Sequence, residues 1–506
     1  MPEFNNERTS PVELSPDDFR KAGHKVVNRI ASFLDSLPSK PVSPQITHDE
    51  LQKILGIKSL PNRGESTEKI LEQAADLLFK YTTFNGHQKF WGYITSSAAP
   101  IGALGDLLAA SVNPNVGAWN LSPAATEIEA QTIRWIAEMI GYRTDCGGLM
   151  VSGGNMANFI GFLTARKAKA KWDIRKVGLA GSNAHSLLVY ASKETHTWIQ
   201  KAADLFGLGT ESIRWISVDE NQKILIDELE SKIKADKENG QHPFMVVGNA
   251  GTVSTGAIDP LNKMYEICKE NDLWLHVDGA YGAFAAAIPD APDDLKALKF
   301  ADSIALDPHK WLYVPLEAGC ILVRNPSFLI DAFSYHPTYY NFITEEEGSS
   351  INYYELGFQN SRGFRALKVW LSLKQVGVDG YKKMIADDIN LSKHLYKIMN
   401  THPNLEVLSQ SLSITTFRFI PADIDAKSNK VSSYLNDLNQ RLLHQLNISG
   451  AAFISNAVID EMFVLRACIV NFRTTIEDIE ILPKLVTEIG IEIDSKIRPV
   501  DLKSDE

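Results

Sequence analysis

Five short apolar segments, each followed by small or polar residues, limit the possible folds of this 506-residue chain most strongly. The segments are read as strands and cover residues 149–151, 186–190, 245–247, 274–277 and 303–306. Strands that alternate with helices build a largely parallel sheet, so the sequence predicts an α/β core over residues 86–385. In such sheets ligands bind beyond the carboxyl ends of the strands, and the polar tails are therefore expected to meet at one site.

Residues 1–85 carry a helical pattern without strands. Ser15 and Pro16 form a helix-capping pattern, and apolar residues recur on one face of the helix that follows. A second helix is predicted over residues 71–81, after a polar stretch that contains Pro and Gly. An apolar face of this kind needs a partner, which is either the main body of the chain or a second subunit.

The last segment, residues 386–506, follows a long helical stretch that begins after Trp370. Strands are predicted near residues 414–419 and 462–470, and a helix is predicted over residues 476–489. A mixture of strands and helices of this length indicates a small α+β domain at this end of the chain.

The charge and the apolar pattern restrict the class of partner. The formal net charge is −11, and no block of Lys or Arg outweighs it, which argues against nucleic acid or an anionic membrane. The first residues lack an apolar signal-peptide core, and no apolar run approaches the ~18 residues of a membrane span. The sequence therefore predicts a cytoplasmic protein with a small-molecule substrate. The four cysteines lie far apart without CxxC spacing, which indicates buried free thiols rather than a metal site or disulfides.

Lys310 stands shortly after the predicted strand 303–306, in the motif D-P-H-K-W. A lone lysine at a strand end usually extends its ammonium group to solvent. This lysine lies between His309 and Trp311 at the edge of the sheet where ligands bind. Because an amine is costly to bury beside an aromatic wall, its position indicates a chemical role.

Asp278 closes the predicted strand 274–277 and is followed by the small residues Gly279 and Ala280. By itself, this carboxylate could be a helix cap. Together with Lys310 it indicates pyridoxal phosphate (PLP) as the cofactor. PLP needs a lysine that forms an imine with it and a fixed carboxylate that keeps its pyridine nitrogen protonated.

Two further features suit the same cofactor. Gly153, Gly154 and Asn155 follow a strand and open a helix, where backbone N–H groups and the helix dipole favour a phosphate. His196 follows another predicted strand and could stack its imidazole on a flat ring or contact a substrate carboxylate. The sequence lacks the GxGxxG and GxxxxGKS/T patterns, which argues against a nucleotide-binding oxidoreductase or a P-loop enzyme.

In this order, the four elements resemble the PLP-dependent group II decarboxylase family, and most closely its aromatic-L-amino-acid (tyrosine, DOPA and tryptophan) decarboxylases. The resemblance spans about residues 15–490. The run from His276 to Tyr281 is similar to the family block H-V-D-A-A-Y, and the run from Asp307 to Trp311 to the block N/D-P-H-K-W. The resemblance implies an aspartate-aminotransferase-like (fold type I) large domain with a mostly parallel seven-stranded sheet. It also implies a homodimer with active sites near the interface.

The resemblance implies roles for individual residues. Lys310 would hold the cofactor as a Schiff base, Asp278 would pair with the pyridinium nitrogen and His196 would stack on the ring. The complete set implied to bind the cofactor is Gly154, Asn155, His196, Thr252, Asp278, Ala280, Asp307, His309, Lys310 and Ser361. Two positions depart from the family pattern: Gly279 stands where many members have Ala, and Val253 stands where several have a second Thr next to Thr252.

The stretch between Phe333 and Phe358 is long for a compact domain and rich in Tyr, Glu, Gly and Ser, which indicates a lid. Its Tyr339 matches the family's loop tyrosine, which the resemblance implies as the proton donor. Tyr340 is a neighbouring candidate, and a packing role in the lid is the alternative for both. Family members with Phe at this position convert their substrates to aldehydes, so Tyr339 favours simple decarboxylation.

Two segments resemble the family's substrate pocket. The residues implied to line it are Trp91, Tyr93, Thr95 and Trp119. An aromatic-rich wall suits an aromatic substrate better than an acidic one. Gly117 stands where animal members carry Phe, and the hydroxyl of Ser361 could favour a phenol over an indole. The predicted reaction is decarboxylation of an aromatic L-amino acid to an amine and CO2. The alternatives are a glutamate-type decarboxylase, an aldehyde synthase and a non-catalytic chain of the same fold.

Overall fold

The computed structural model describes residues 10–56, 58–179, 186–335, 351–426 and 431–502. The N-terminal segment contains the helices α1 (Pro16–Ser36), α2 (His48–Leu55) and α3 (Thr67–Tyr81). The Ser15 hydroxyl caps α1 by accepting a hydrogen bond from the backbone N–H of Asp18, as the capping pattern predicts. No residue of these three helices is buried in the single protomer, and apolar side chains such as Phe19 and Leu78 are exposed.

A seven-stranded sheet forms the centre of the large domain. Its strands are β1 (Gly147–Val151), β2 (Leu187–Ser192), β3 (Ile213–Ile216), β4 (His242–Asn249), β5 (Trp274–Asp278), β6 (Ser303–Leu306) and β7 (Gly319–Val323). The order across the sheet is β1-β7-β6-β5-β4-β2-β3. β7 runs antiparallel to both of its neighbours, and the remaining pairs are parallel. The predicted α/β class with a mostly parallel seven-stranded sheet is confirmed.

Helices cover the sheet, and nearly all strand residues are consequently buried. The helices of this domain are α4 (Pro100–Val112), α5 (Pro123–Met139), α6 (Gly154–Lys169), α7 (Ile174–Val177), α8 (Trp198–Leu205), α9 (Ile226–Glu238), α10 (Leu261–Asn271) and α11 (Ser327–Phe333). α6 packs across β4 to β7 and begins at the end of β1. It therefore brings its first turn to the edge of the sheet at which the parallel strands end.

The smaller domain is built on a four-stranded antiparallel sheet. Its elements are α12 (Ala366–Asn400), β8 (Leu405–Ser411), β9 (Ile414–Phe419), α13 (Ser432–Ser449), β10 (Ser455–Ile459), β11 (Met462–Cys468) and α14 (Ile476–Ile497). The strand order is β10-β11-β9-β8, and α13 and α14 pack together on the sheet. The α+β character predicted for this segment is confirmed.

α12 connects the two domains. Its first part packs on α4 and α5, and its second part packs on β8, β9 and α14. Gly377 interrupts the helix with a φ of 69°, which is a conformation that glycine adopts more readily than other residues. The predicted domain boundary at residue 385 falls within this connecting helix. In the described ranges, no helix is both long and apolar enough to cross a bilayer.

Candidate active site

The carboxyl ends of the parallel strands surround a cavity of about 300 Å3. The structure brings nine of the ten residues implied to bind the cofactor to its wall: Gly154, Asn155, His196, Thr252, Asp278, Ala280, Asp307, His309 and Lys310. These residues come from the ends of β1, β2, β4, β5 and β6, so the parallel direction of the strands is the reason that they meet.

Lys310 lies in the turn that follows β6. Its Nζ atom is 3.0 Å from Oδ2 of Asp307, and both side chains are largely buried. His309 hydrogen bonds through Nδ1 to the carbonyl oxygen of Ala318, at 2.7 Å, which fixes the orientation of its ring. Burial lowers the pKa of His309 despite the neighbouring Asp307, so the imidazole is neutral near pH 7. Lys310 therefore has Asp307 as its anionic neighbour in this turn.

Asp278 ends β5 and directs its carboxylate into the cavity. Oδ2 accepts hydrogen bonds from Nε1 of Trp198, at 2.8 Å, and from Nδ2 of Asn158, at 3.1 Å. Oδ1 accepts a third bond, from the backbone N–H of Ala280, at 3.2 Å. Burial raises the pKa of Asp278, and the positive charge of Lys310 opposes that rise. Three donors and a nearby ammonium group together favour an ionised carboxylate at this position.

The end of the cavity next to α6 is suited to an anion. α6 begins at Gly154, and the first N–H groups of a helix, here those of Gly154 and Asn155, precede the first intrahelical hydrogen bonds and can bind an anion. A Cβ atom on Gly154 would lie 2.8 Å from Oδ2 of Asp307 and 2.9 Å from the Cβ atom of Ala280. Only glycine therefore fits this turn, which leaves room for a phosphate beside the backbone.

His196 follows β2 and lies on the open side of the cavity. Desolvation lowers the pKa of its imidazole, although Asp278 opposes the shift. A neutral ring on this wall is suited to stacking on a flat cofactor. Thr252 also lines the cavity, but its hydroxyl contacts Oγ1 of Thr255 and the N–H of Ala257 within its own turn.

Several residues of the site were not predicted from the sequence. Asn158 and Trp198 supply two of the three hydrogen bonds to Asp278. Both have a signal that could have indicated them, because Asn158 lies one helical turn after Gly154, and Trp198 is two residues after His196. Glu194 and Asn249 also line the cavity, and each lies at or just beyond the carboxyl end of a strand.

The residues predicted for the substrate pocket lie outside this cavity. Trp91 is buried in the core of the smaller domain and donates from Nε1 to Oγ1 of Thr474. Tyr93 is exposed, and Thr95 is bonded to Asn85. Ile94 is the residue of this segment that lines the cavity.

Trp119 and Ser361 lie on a different surface of the protomer, next to the buried Gly117. Trp119 is half-buried and donates from Nε1 to Glu127. A Cβ atom on Gly117 would lie 2.3 Å from the carbonyl oxygen of Asn360, so the backbones of the two segments touch here. Ser361, the tenth residue implied to bind the cofactor, is exposed on this surface and does not line the protomer's cavity. The predicted proton donor Tyr339 and its neighbour Tyr340 lie outside the described residues.

The sequence profile of the pyridoxal-dependent decarboxylase conserved domain matches residues 50–420. The chain belongs to the pyridoxal-dependent decarboxylase family. It is 34% identical over 476 residues to an aromatic-L-amino-acid decarboxylase of Bacillus atrophaeus, with 94% of this chain and 96% of that protein covered. It is 30% identical over 465 residues to a phenylacetaldehyde synthase of a Rosa hybrid cultivar, with 90% of each chain covered. A crystal structure of Oryza sativa TDC with PLP and tryptamine superimposes with a TM-score of 0.88 and 26% identity, over 96% of this chain and 100% of that one.

The family membership makes this decarboxylase a PLP-dependent carboxy-lyase that acts on an amino acid. The cavity fits the cofactor on independent grounds. A lysine, a buried carboxylate, a neutral imidazole and a glycine-lined helix N-terminus face the same space, and each matches a different part of PLP. The predicted family, reaction class and cofactor are confirmed.

Proposed function

We propose that this decarboxylase converts an aromatic L-amino acid to its amine and CO2, with Lys310, Asp278 and His196 as the residues that contact the cofactor. The observation that carries the assignment is the presence of the Lys310 amine and the hydrogen-bonded Asp278 carboxyl group in one cavity. When bound, PLP supplies an electron sink for the charge that remains after CO2 leaves. The residues of the chain have to bind it, orient it and hold its ring proton.

Each side chain has a task that follows from its surroundings. Lys310, which pairs with Asp307, would hold the cofactor covalently. Asp278 would hold a proton on the pyridine nitrogen, and the three hydrogen bonds that it accepts favour the ionised carboxylate that this role needs. His196 would stack on the ring as a neutral imidazole, and the first turn of α6 at Gly154 would hold the phosphate.

The lining of the cavity supports an aromatic substrate over an acidic one. Glu194, Asp278 and Asp307 all line the cavity, whereas Lys310 is the one Lys or Arg among the described residues that line it. Because Lys310 pairs with Asp307 and is the residue that would hold the cofactor, the described lining offers no further Lys or Arg to a second substrate carboxylate. The name of the relative from Bacillus atrophaeus and the tryptamine in the Oryza sativa TDC structure support the same substrate class.

Tyr339 stays the proposed proton donor to the carbon that loses CO2, and Tyr340 stays the alternative. The competing outcome is aldehyde formation, which the name of the relative from Rosa assigns to that protein. A Tyr at position 339 supports the amine product. The test is a product assay on L-tyrosine, L-DOPA, L-phenylalanine, L-tryptophan and L-glutamate that measures CO2, amine, aldehyde and peroxide. Faster turnover of L-glutamate would contradict the substrate assignment.

We further propose a homodimer in which the surface that carries Gly117, Trp119 and Ser361 completes the cavity of the partner subunit. The apolar side chains exposed on α1 and α4, among them Phe19 and Leu108, need a surface to cover them. The three positions that resemble substrate-pocket residues lie apart from the cavity of their own protomer, which supports a role in the other one. The cytoplasmic location stays a prediction that cell fractionation would test.

A further inference from the structure

A row of buried side chains leads from Asp278 into the core of the sheet. Oδ1 of Asn158, whose amide nitrogen donates to Asp278, lies 2.7 Å from Nε2 of His276. Nδ1 of His276 lies 2.7 Å from Oγ of Ser303. Oγ of Ser303 in turn accepts a hydrogen bond from Nε1 of Trp274, at 2.8 Å. Four hydrogen bonds therefore connect Trp274 to the carboxylate in the cavity.

The Oδ1 atom of Asn158 can only accept, and this fixes the direction of the bonds in the row. Neutral His276 therefore carries its hydrogen on Nε2 and donates it to Oδ1 of Asn158. Its Nδ1 then accepts from the Ser303 hydroxyl, whose oxygen accepts from the Trp274 indole. Asn158 donates to Asp278, which as a carboxylate can only accept. All four donors point toward Asp278, and hydrogen bonds aligned in this way polarise one another.

The surroundings hold His276 in this arrangement. The residue is completely buried, and burial lowers its pKa to about 3, so the ring is neutral over the working range of pH. α6 lies directly on the ring, because a Cβ atom on Gly161 would be 2.6 Å from Cε1 of His276. The ring of Trp198 packs against it edge to face, with 5.6 Å between centroids. The imidazole consequently has no room to turn.

The groups that act on the charge of Asp278 are few. Burial and Asp307 oppose its ionised form, whereas the charge of Lys310 and the backbone N–H of Ala280 favour it. Lys310 is also the residue that would hold the cofactor. Asn158 and Trp198 donate the two side-chain hydrogen bonds to Asp278, and only the bond from Asn158 is continued by further donors.

We propose that Asn158 and His276 are positioning residues that keep the Asp278 carboxylate ionised and aimed, and thereby hold the proton on the pyridine nitrogen of the bound cofactor. The proposal rests on the function proposed for Asp278. Asn158 lies on the wall of the cavity beside Asp278, and His276 does not line the cavity. Their effect reaches the cofactor through Asp278.

The test compares variants that break the row with variants that preserve it. His276→Phe keeps a ring of similar size and removes both hydrogen bonds, whereas His276→Gln keeps an N–H close to the position of Nε2. Asn158→Leu removes the donor to Asp278 at similar side-chain volume. If the leucine variant does not fold, Asn158→Ser is measured in its place. His242→Phe is the matched control, because His242 is a buried histidine of the same sheet that bonds to the backbone oxygen of Lys169.

Two measurements are made on each variant besides activity. The first is the dissociation constant of PLP from the reconstituted enzyme, and the second is the 15N chemical shift of ring-labelled PLP when bound. The melting temperature of each apoprotein shows that it is folded. We expect Asn158→Leu to weaken PLP binding by about tenfold, as for one hydrogen bond to a charged group, and to move the 15N shift toward neutral pyridine.

His276→Phe is expected to act in the same direction by a smaller factor, and His276→Gln to restore the wild-type 15N shift. His242→Phe should change neither measurement. An unchanged 15N shift in folded His276→Phe and Asn158→Leu, or equal effects of His276→Phe and His276→Gln, would overturn the proposal. Asp278→Asn tests the proposed role of Asp278 separately. If this variant changes neither PLP binding nor the 15N shift, Asp278 does not have its proposed role. If this variant changes them and the Asn158 and His276 variants do not, only the role of the row is removed.

Discussion

The Nζ atom of Lys310 lies 3.0 Å from Oδ2 of Asp307, so the lysine proposed to hold the cofactor forms an ion pair with this aspartate in the free chain. Oδ1 of the same aspartate is buried and has no hydrogen-bond partner among the described residues. Asp307 is therefore satisfied mainly by Lys310. The pair stabilises the free protein and must separate when the cofactor binds, which couples the stability of the site to its loading.

Lys310→Ala is expected to abolish turnover and the visible absorbance of the covalently bound cofactor. The variant has no amine in the cavity that could replace Lys310, because no other lysine lines it among the described residues. Absorbance spectroscopy after reconstitution with PLP and a CO2-release assay check this. Full turnover in the variant would remove the central assignment of the site.

The same variant should also lower the stability of the apoprotein. Removal of the lysine leaves Asp307 buried and unpaired, which costs about 1–3 kcal/mol in the free energy of unfolding. The double variant Lys310→Ala/Asp307→Asn should recover part of that loss, because a neutral amide needs no counter-charge. Chemical denaturation of both variants measures the difference. If Lys310→Ala is as stable as the wild type, the ion pair has no structural role.

Arg362 is expected to be essential for stability rather than for the chemical step. Its guanidinium group is buried with Glu129 and donates to the backbone oxygens of Val116, at 2.8 Å, and Met150, at 2.7 Å. Arg362→Ala leaves Glu129 as a buried, unpaired charge, and we expect a loss of about 3–5 kcal/mol in chemical denaturation. Arg362→Lys should recover little, because an ammonium group cannot reach all three acceptors.

Buried Asp388 makes stability depend on pH in a direction opposite to that of a surface ion pair. It accepts hydrogen bonds from Nε1 of Trp311 and the hydroxyl of Tyr313, and burial raises its pKa from an ordinary value of 3.8 to about 7. The folded chain then binds a proton that the unfolded chain releases. Its contribution to stability is complete below about pH 4, falls as the pH rises toward 7 and is constant above that.

Asp388→Asn isolates this effect, because the amide keeps an acceptor for Trp311 and Tyr313 but does not titrate. Denaturant unfolding of the apoprotein is measured from pH 4.5 to 8 in the variant and the wild type. We expect the stability of the variant relative to the wild type to rise up to about pH 7 and then level off. A difference that is constant over this range would contradict the assignment.

The sequence predicts site residues best where a functional residue directly follows a strand. Asp278 and Lys310 each follow an apolar strand, and alternation of strands and helices already predicts that such ends meet. Two strands of the large domain, β3 and β7, are not predicted, for identifiable reasons. β3 is short and only half-buried at Arg214 and Trp215, and β7 follows a loop and runs antiparallel, which strand–helix alternation does not predict.

The other site features that the sequence does not predict depend on contacts between residues far apart in the chain. The hydrogen bonds of Asn158 and Trp198 to Asp278 join residues that lie far apart in the chain, so local spacing can indicate the two residues but not the bonds that they form. The sequence predicts Trp91 as a pocket residue, but an indole is equally suited to a domain core, and the structure places Trp91 in one. Local pattern alone does not separate these two uses of an aromatic side chain.

The proposed dimer predicts that two inactive variants complement each other. Lys310→Ala lacks the cofactor lysine, and Trp119→Ala alters the surface proposed to complete the partner's cavity. If the surface serves the other subunit, a mixed dimer contains one cavity with both defects and one cavity with neither. Refolding an equal mixture should therefore restore up to about a quarter of wild-type activity, because half of the dimers are mixed and each has one intact site.

The control is a mixture of Lys310→Ala with Asp278→Asn. Both of these residues line the cavity of one protomer, so every cavity in the mixed dimer carries one defect and no activity should return. Analytical ultracentrifugation of each variant verifies that dimers form. No restored activity in either mixture, with dimers present in both, would show that Trp119 acts within its own subunit, and the proposed surface would then have a structural role.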